Sequence, residues 1–300
     1  MREIGRGTAT AIGFVAVLLW SLLALFTVGS GDIPPFQLAA MCFPIGGLIG
    51  LLDIQRRGGS IRTASAQPAK IWALGVAGLF GYHFFYFTAL RNAPAAEAGL
   101  IAYLWPLLIV LFSAALPGER LRTGHVIGAG LGFAGAALIV SDGGAFSFDG
   151  ANGVGFGAAI ICALLWSSYS VLSRVVGEAP TDTVAGFCLA AGALSLICHL
   201  LLEHTVWPTT ALEWLSVLGL GLGPVGLAFY VWDIGVKKGD IQLLGVSSYA
   251  APLLSTLVLI LAGYAEARPV LLTATGLIVA GSLLAAMASL TGATKAKPEP

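Results

Sequence analysis

The chain has 300 residues, 57% of them hydrophobic and only 10% charged, with fifteen Lys and Arg against fifteen Asp and Glu. A soluble domain carries roughly 25% charged residues, so a soluble enzyme and a disordered protein are excluded, and a net charge of zero excludes a nucleic-acid binder. A mean hydropathy of +0.91 leaves a polytopic membrane protein.

The apolar runs are continuous and about 20 residues long, the length that crosses a ~30 Å hydrocarbon core as a helix. They lack the alternation of apolar and polar residues that a membrane barrel requires. In chain order the sequence predicts ten spans, at about 9–29, 36–54, 71–90, 95–116, 124–141, 153–175, 182–203, 213–235, 242–264 and 268–290. Gly, Pro and charge mark the breaks, as in Ser30-Gly31-Asp32-Ile33-Pro34-Pro35 and Pro117-Gly118-Glu119-Arg120. The expected class is an all-α integral membrane protein with short loops and no soluble domain. With the N-terminus inside, thirteen basic residues fall on the cytoplasmic side, from Arg2 and Arg6 to Lys295 and Lys297, and only Arg91 and Arg268 fall outside. This bias orients the chain with both termini cytoplasmic.

The first span follows Arg2 and Arg6, as the apolar run of a signal peptide would. Trp20 argues against cleavage, because it has a counterpart 146 residues on, at Trp166. The same offset links Pro34 to Pro180, Tyr103 to Tyr249, Pro106 to Pro252, Arg122 to Arg268 and Gly135 to Gly281. The chain therefore divides into two repeats, 1–146 and 147–300, the second ending in a short polar tail. Five spans per half is an odd number, so the second half must enter the membrane from the opposite side. Inverted repeats of this kind place a solute site near mid-bilayer where the halves meet, because two similar packings can open to either side in turn. Gly46-xxx-Gly50 and Gly124-xxx-Gly128-xxx-Gly132 have the small-residue spacing of close helix contacts.

Chemistry at mid-depth is sparse and aromatic. Trp20 lies in the first span; Tyr82, His83 and Tyr86 share one face of the third; Tyr103 and Trp105 lie in the fourth, just before Pro106. Trp166, with Tyr169, lies in the sixth, and Ser248 and Tyr249 precede Pro252 in the ninth. Tyr hydroxyls at depth need partners, which a wet lumen or a ligand supplies. The prolines interrupt two helices at matched positions, a pointer to a transport site. His83 reads either as a site residue or as a neutral histidine bonded within the bundle; a protonating His83 predicts a pH-dependent rate, and a flat profile a simple facilitator. The cavity these residues imply suits a small neutral or zwitterionic solute with an apolar body, and no Arg or Lys reaches it to favour a phosphate.

Other patterns carry no such chemistry. Gly130-x-Gly132-x-x-Gly135 and Gly221-x-Gly223-x-x-Gly226 lie inside lipid-length apolar runs rather than after a strand, so no nucleotide is expected. Asp233 and Asp240 echo the paired acids of intramembrane aspartyl proteases, yet sit only seven residues apart near one edge. Cys42, Cys162, Cys188 and Cys198 lack zinc spacing and read as small apolar residues. No cofactor and no metal are expected, and the chain reads as a carrier rather than an enzyme. The rival readings are a carrier of another neutral metabolite or drug and, more remotely, a membrane-embedded enzyme or lipid-handling scaffold.

Ten spans, two five-span repeats, and Pro117-Gly118-Glu119-Arg120-Leu121 followed by Gly128-x-x-Leu131-x-x-x-Gly135 resemble the EamA-type drug/metabolite transporter superfamily. The second half departs from the pattern, with Ala265-Glu266-Ala267-Arg268 in the corresponding place. Within that superfamily, Tyr82-His83-Phe84-Phe85-Tyr86 and Tyr103-Leu104-Trp105-Pro106 are similar to segments of exporters of aromatic amino acids. The resemblance implies an inner-membrane exporter of amino acids whose central cavity is lined by Tyr82, His83, Tyr86, Tyr103, Trp105, Trp166, Ser248 and Tyr249.

Overall fold

A computed structural model describes residues 4–146, 148–176 and 179–294. Among them, ten helices are long and apolar enough to cross a membrane: α1 (Arg6–Gly29), α2 (Pro35–Arg56), α3 (Ala69–Asn92), α4 (Ala95–Ala115), α5 (Thr123–Val140), α6 (Gly150–Val175), α7 (Thr183–Leu202), α8 (Ala211–Lys238), α9 (Ile241–Leu261) and α10 (Val270–Thr291). Each expected span is present, its ends within about three residues of the expected ones. A short helix, Ile61–Ser65, in the connection before α3 is the one addition to that pattern among the described residues. Arg2, Lys295 and Lys297, counted on the cytoplasmic side above, and residue 147 lie outside the described residues. The end of the bundle that carries Arg57, Arg120, Arg174 and Lys237 is called the inner end below, and the end that carries Asn92 and Glu203 the outer end.

Two pairs of helices form the frame, and each joins half to half: α2 runs along α7, and α5 along α10. Small residues set their separation. A Cβ on Gly128 would stand 2.5 Å from the Gly281 carbonyl oxygen, and one on Gly124 would stand 2.9 Å from the Ala288 methyl. The expected small-residue stripe of α5 is thus pressed against α10, where dispersion between backbones replaces the hydrophobic effect that lipid cannot supply.

The α2–α7 pair is pinned at both ends. At the inner end Arg57 bonds Asp182 at 2.7 Å and Asp53 at 2.8 Å, and these carboxylates, Asp182 first, raise the pKa of the Arg57 guanidinium. At the outer end the Glu203 carboxylate accepts from the Phe36 and Gln37 backbone N–H at 3.1 and 3.0 Å, from Arg91 at 2.5 Å and from His199 at 3.1 Å. Adding 146 to Asp53 and Arg57 gives His199 and Glu203. A pin thus stands at matched positions of both halves, with Glu203 where the first has Arg57, the outer one using the unpaired N–H groups at the start of α2.

Inside the frame, α1 packs on α8 and α6 on α3, the same contact made in the two halves. The inner helices are interrupted. Wide π-helical turns fall at Ala77–Gly81 in α3 and at Gly223–Leu227 in α8, again 146 residues apart. The helix of α4 breaks between Ala102 and Trp105, and that of α9 between Ser247 and Ala250. The breaks lie just upstream of the prolines, because Pro106 and Pro252 occupy the first turns of the new segments, where a missing N–H costs nothing. One interruption lacks a partner: α1 breaks at Ser21–Leu22, whereas α6 is helical without interruption from Gly153 to Val175.

Candidate functional site

Four tryptophans meet where the halves join: Trp20 of α1, Trp105 of α4, Trp166 of α6 and Trp232 of α8. All their pairwise ring separations lie between 5.1 and 6.3 Å, mostly edge to face. Such geometry places the positive edge of one ring on the negative face of another. Two indoles are fixed by hydrogen bonds. The Trp20 N–H donates to the Pro224 carbonyl at 3.2 Å, in the π-helical turn of α8, and the Trp232 N–H donates to the Ser170 hydroxyl at 3.1 Å. The wide turn of α8 thus presents a carbonyl that anchors a ring from the other half.

A second row adjoins this cluster. The Tyr82 ring lies 5.6 Å from that of Trp166 and stacks on Tyr86 at 5.9 Å. The Tyr82 hydroxyl meets the Cys162 thiol, and the Tyr103 phenol lies within electrostatic reach of Tyr86. His83 is ringed by Phe43 at 5.1 Å, Phe87 at 5.9 Å and Phe229 at 6.5 Å. Its Nδ1 lies 2.7 Å from the Leu79 carbonyl, within the π-helical turn of α3. A carbonyl can only accept, so Nδ1 carries the proton and Nε2 is left as an acceptor.

Exposure falls along the axis of the bundle. Tyr82, His83, Tyr86, Tyr103 and Trp20 are half-buried, whereas Trp105, Trp166, Tyr169 and Trp232 are 6%, 4%, 2% and 0% exposed. The closed members lie toward the inner end. Beyond them α1 and α8 touch at Gly13 and Gly235, where a Cβ on Gly235 would stand 2.5 Å from the Gly13 Cα. Then comes an ionic seal: Glu119 pairs with Arg6 at 3.0 Å and Arg174 at 2.8 Å, and Arg6 also reaches Asp240 at 3.3 Å. Arg174 donates to the Gly239 carbonyl at 2.7 Å, and the Asp240 N–H donates to the Thr10 hydroxyl at 2.8 Å. Arg6 and Glu119 belong to the first half, Arg174 and Asp240 to the second. The site is shut at the inner end, and its outer members are half-buried.

Eight of the ten expected residues converge here: Trp20, Tyr82, His83, Tyr86, Tyr103, Trp105, Trp166 and, beneath Trp166 at 5.4 Å, Tyr169. Ser248 and Tyr249 do not. Ser248 is fully buried and donates to the Leu244 carbonyl of its own helix at 2.7 Å. Tyr249, also fully buried, packs on Phe133 and Gly132, and its hydroxyl accepts the Leu107 N–H at 3.1 Å. The break in α4 frees that N–H, and Tyr249 satisfies it. The residue is a strut for the interruption, facing α5 rather than the tryptophans. With Leu107 diverted and Pro106 lacking an N–H, the Tyr103 and Ala102 carbonyls lose their usual helical donors.

Trp232 and the Cys162 partner of Tyr82 escape sequence reasoning. Trp232 was legible in principle, since subtracting the repeat offset gives Tyr86. The other cysteines behave as expected of apolar residues, Cys42 and Cys188 fully buried and Cys198 partly so.

The model of the EamA-like transporter family matches the chain twice, over residues 8–141 and 153–287. The chain belongs to the EamA-like transporter family. It is similar to the aromatic amino acid exporter YddG of Ancylobacter novellus, with 55% identity over 95% of this chain and 99% of that protein. It also resembles the aromatic amino acid exporter YddG of Salmonella typhimurium, with 27% identity over 83% and 86%. A solved crystal structure 55% identical in sequence superposes with a TM-score of 0.91, covering 95% of this chain and 97% of that one. This member of the family is therefore a multi-pass membrane transporter with two EamA units.

Proposed function

We propose that the chain exports amino acids, aromatic and other neutral ones, across the bacterial inner membrane by alternating access, with both termini cytoplasmic and with 1–146 and 147–300 as the moving units. The observation that carries this reading is the ring cluster assembled from both halves, closed on its inner side and half-buried on its outer side. Rocking the halves would part Trp20 and Trp105 from Trp166 and Trp232, so the solute and the closure use the same surfaces. Trp20, Trp105, Trp166 and Trp232 would pack the solute's apolar body. The hydroxyls of Tyr82, Tyr86 and Tyr103, the free Nε2 of His83 and the Ala102 and Tyr103 carbonyls would hold its ammonium and carboxylate. The thirteen-to-two distribution of basic residues supports the orientation, and the names of the relatives support the substrate class.

The test is flux. Protein in liposomes is expected to move labelled phenylalanine and tryptophan down their gradients. Trp166→Ala or Tyr82→Ala is expected to weaken phenylalanine transport at least about tenfold, or about 1.4 kcal/mol. Absence of protein-dependent phenylalanine flux would overturn the reading, and a panel of neutral solutes in the same vesicles would show whether another metabolite moves instead. A C-terminal alkaline phosphatase fusion that is active in the periplasm would overturn the orientation.

A further inference from the structure

Beneath the tryptophans, at the inner end, a small cavity of about 10 Å³ lies between α3, α6, α7 and α8, room for about one water. Tyr169, Ser173, Asp233, Lys237 and Phe187 line it. Asp233 is 2% exposed and Lys237 pairs with it at 2.8 Å. Thr181 donates to the other carboxylate oxygen at 2.7 Å. The Tyr169 hydroxyl, buried beside Ser173 and within electrostatic reach of Asp233, makes no hydrogen bond of regular geometry.

Lys237 and Ser173 have polar counterparts in Arg91 and Thr27 at the matched positions, but the acid and the phenol have none. At the offset of 146 the first half places Leu23 where Tyr169 stands and Phe87 where Asp233 stands. The acid and the phenol occur only on the side from which an exporter takes its solute.

From the acid and the phenol found at this end alone, set around a buried carboxylate–ammonium pair, we infer that the cavity is the closed form of an inner access site for the head group of a zwitterion. Amino acid ammonium would bind Asp233 and Tyr169, and its carboxylate would bind Lys237. The exchange conserves charge. Opening the internal pair alone leaves two buried charges uncompensated, whereas a zwitterion replaces both partners at once. A solute with one charge replaces only one. Discrimination for amino acids over amines and acids of the same body therefore begins here, before the solute reaches the rings, and Phe187 and Tyr169 offer its apolar part a surface. The inference rests on the amino acid reading above and adds to it the site of first recognition.

Competition against labelled-phenylalanine counterflow in proteoliposomes tests it, with phenylalanine, 2-phenylethylamine and 3-phenylpropionate as competitors. Asp233→Asn is expected to raise the half-inhibiting concentrations of phenylalanine and 2-phenylethylamine at least about tenfold, the loss of one charge-assisted hydrogen bond, and to leave 3-phenylpropionate unchanged or improved. Lys237→Gln is expected to do the reverse. The double variant Asp233→Asn/Lys237→Gln leaves no unpaired charge if a single change prevents folding, and is expected to lose discrimination among the three. If the variants change all three competitors by one common factor, the pair is only a latch and the inference is overturned while the export reading stands. If the unaltered protein moves no phenylalanine, both are overturned.

Discussion

At the inner end α1 crosses α8 at Gly13 and Gly235, whose backbones touch. At the outer end the matched crossing of α6 and α3 falls on Ala159 and Ala89, two buried methyls. The ionic seal differs more. Arg6, Glu119, Arg174 and Asp240 correspond to Asn152, Ala265, Val28 and Pro94 in the other half. The inner end is thus held at these positions by backbone contact and four opposite charges; the outer end carries neither there, and its backbone approach and its buried charge pair sit elsewhere, at Gly155 against Asn92 and at Arg91 with Glu203. A single five-helix plan yields a molecule that rests with its inner end shut, because the side chains laid on that plan differ where the two ends close. The family's Gly-Glu-Arg-Leu segment acquires a physical meaning here: its glutamate bridges two arginines from opposite halves, and Ala265 offers no such bridge.

The comparison breaks most sharply at the backbone contact. Gly235→Ala puts a methyl where the Gly13 Cα stands 2.5 Å from an ideal Cβ, and overpacking of this kind costs about 1–3 kcal/mol. Lower thermal stability and faster thiol labelling of a cysteine placed at Ser173 are expected. Ala89→Gly at the outer crossing is expected to cost about 1–2 kcal/mol, the helix propensity together with the packing of one buried methyl, with no change in that labelling. Equal effects at both crossings would remove the distinction between the ends.

Next in size is the charge bridge. Glu119→Gln leaves Arg174, only 18% exposed at its side chain, without its anion. Arg6 is 52% exposed, so its share is screened by water. Together the two pairs are expected to be worth about 1–2 kcal/mol, read as roughly tenfold faster labelling at Ser173. Ala265→Glu is not expected to create a second seal, since Asn152 and Val28 offer it no cation.

Much of this architecture was legible in the sequence because lipid leaves few options. Ten runs of helical length had to be ten helices, and a constant offset had to be a repeat. The same offset extends further than the aromatic pattern alone suggests: it pairs the two π-helical turns and both pins of α2 and α7. Eight of the ten expected site residues converge because depth along a helix is readable from a hydropathy profile. Which way a side chain turns at that depth is not. Tyr249 has the depth of Tyr103 and the same place before a proline, yet it spends its hydroxyl on Leu107. The cause lies in the partner helix: α5 presents Gly132 to it, and the ring fills that gap. Asp233 was readable only as half of a protease motif, because its true partner, Lys237, becomes significant only once burial is known.

The smallest expected effect sharpens the comparison by its size. Arg268 and Asp142 form an ion pair at the outer end of the α5–α10 frame, with side chains 61% and 49% exposed. Water and salt screen such a pair, and holding two long side chains in one geometry opposes it, so Arg268→Ala is expected to change stability by less than about 1 kcal/mol. The shift should vanish in high salt, where the screening length falls to about 3 Å at 1 M. Thermal unfolding at low and high ionic strength checks it. The buried Glu119–Arg174 pair should retain most of its effect in the same salt, because its partners stand largely apart from the screening ions. A large, salt-resistant loss at Arg268 would mean that charge clamps the outer end of the α5–α10 frame as firmly as Glu203 clamps that of α2 and α7.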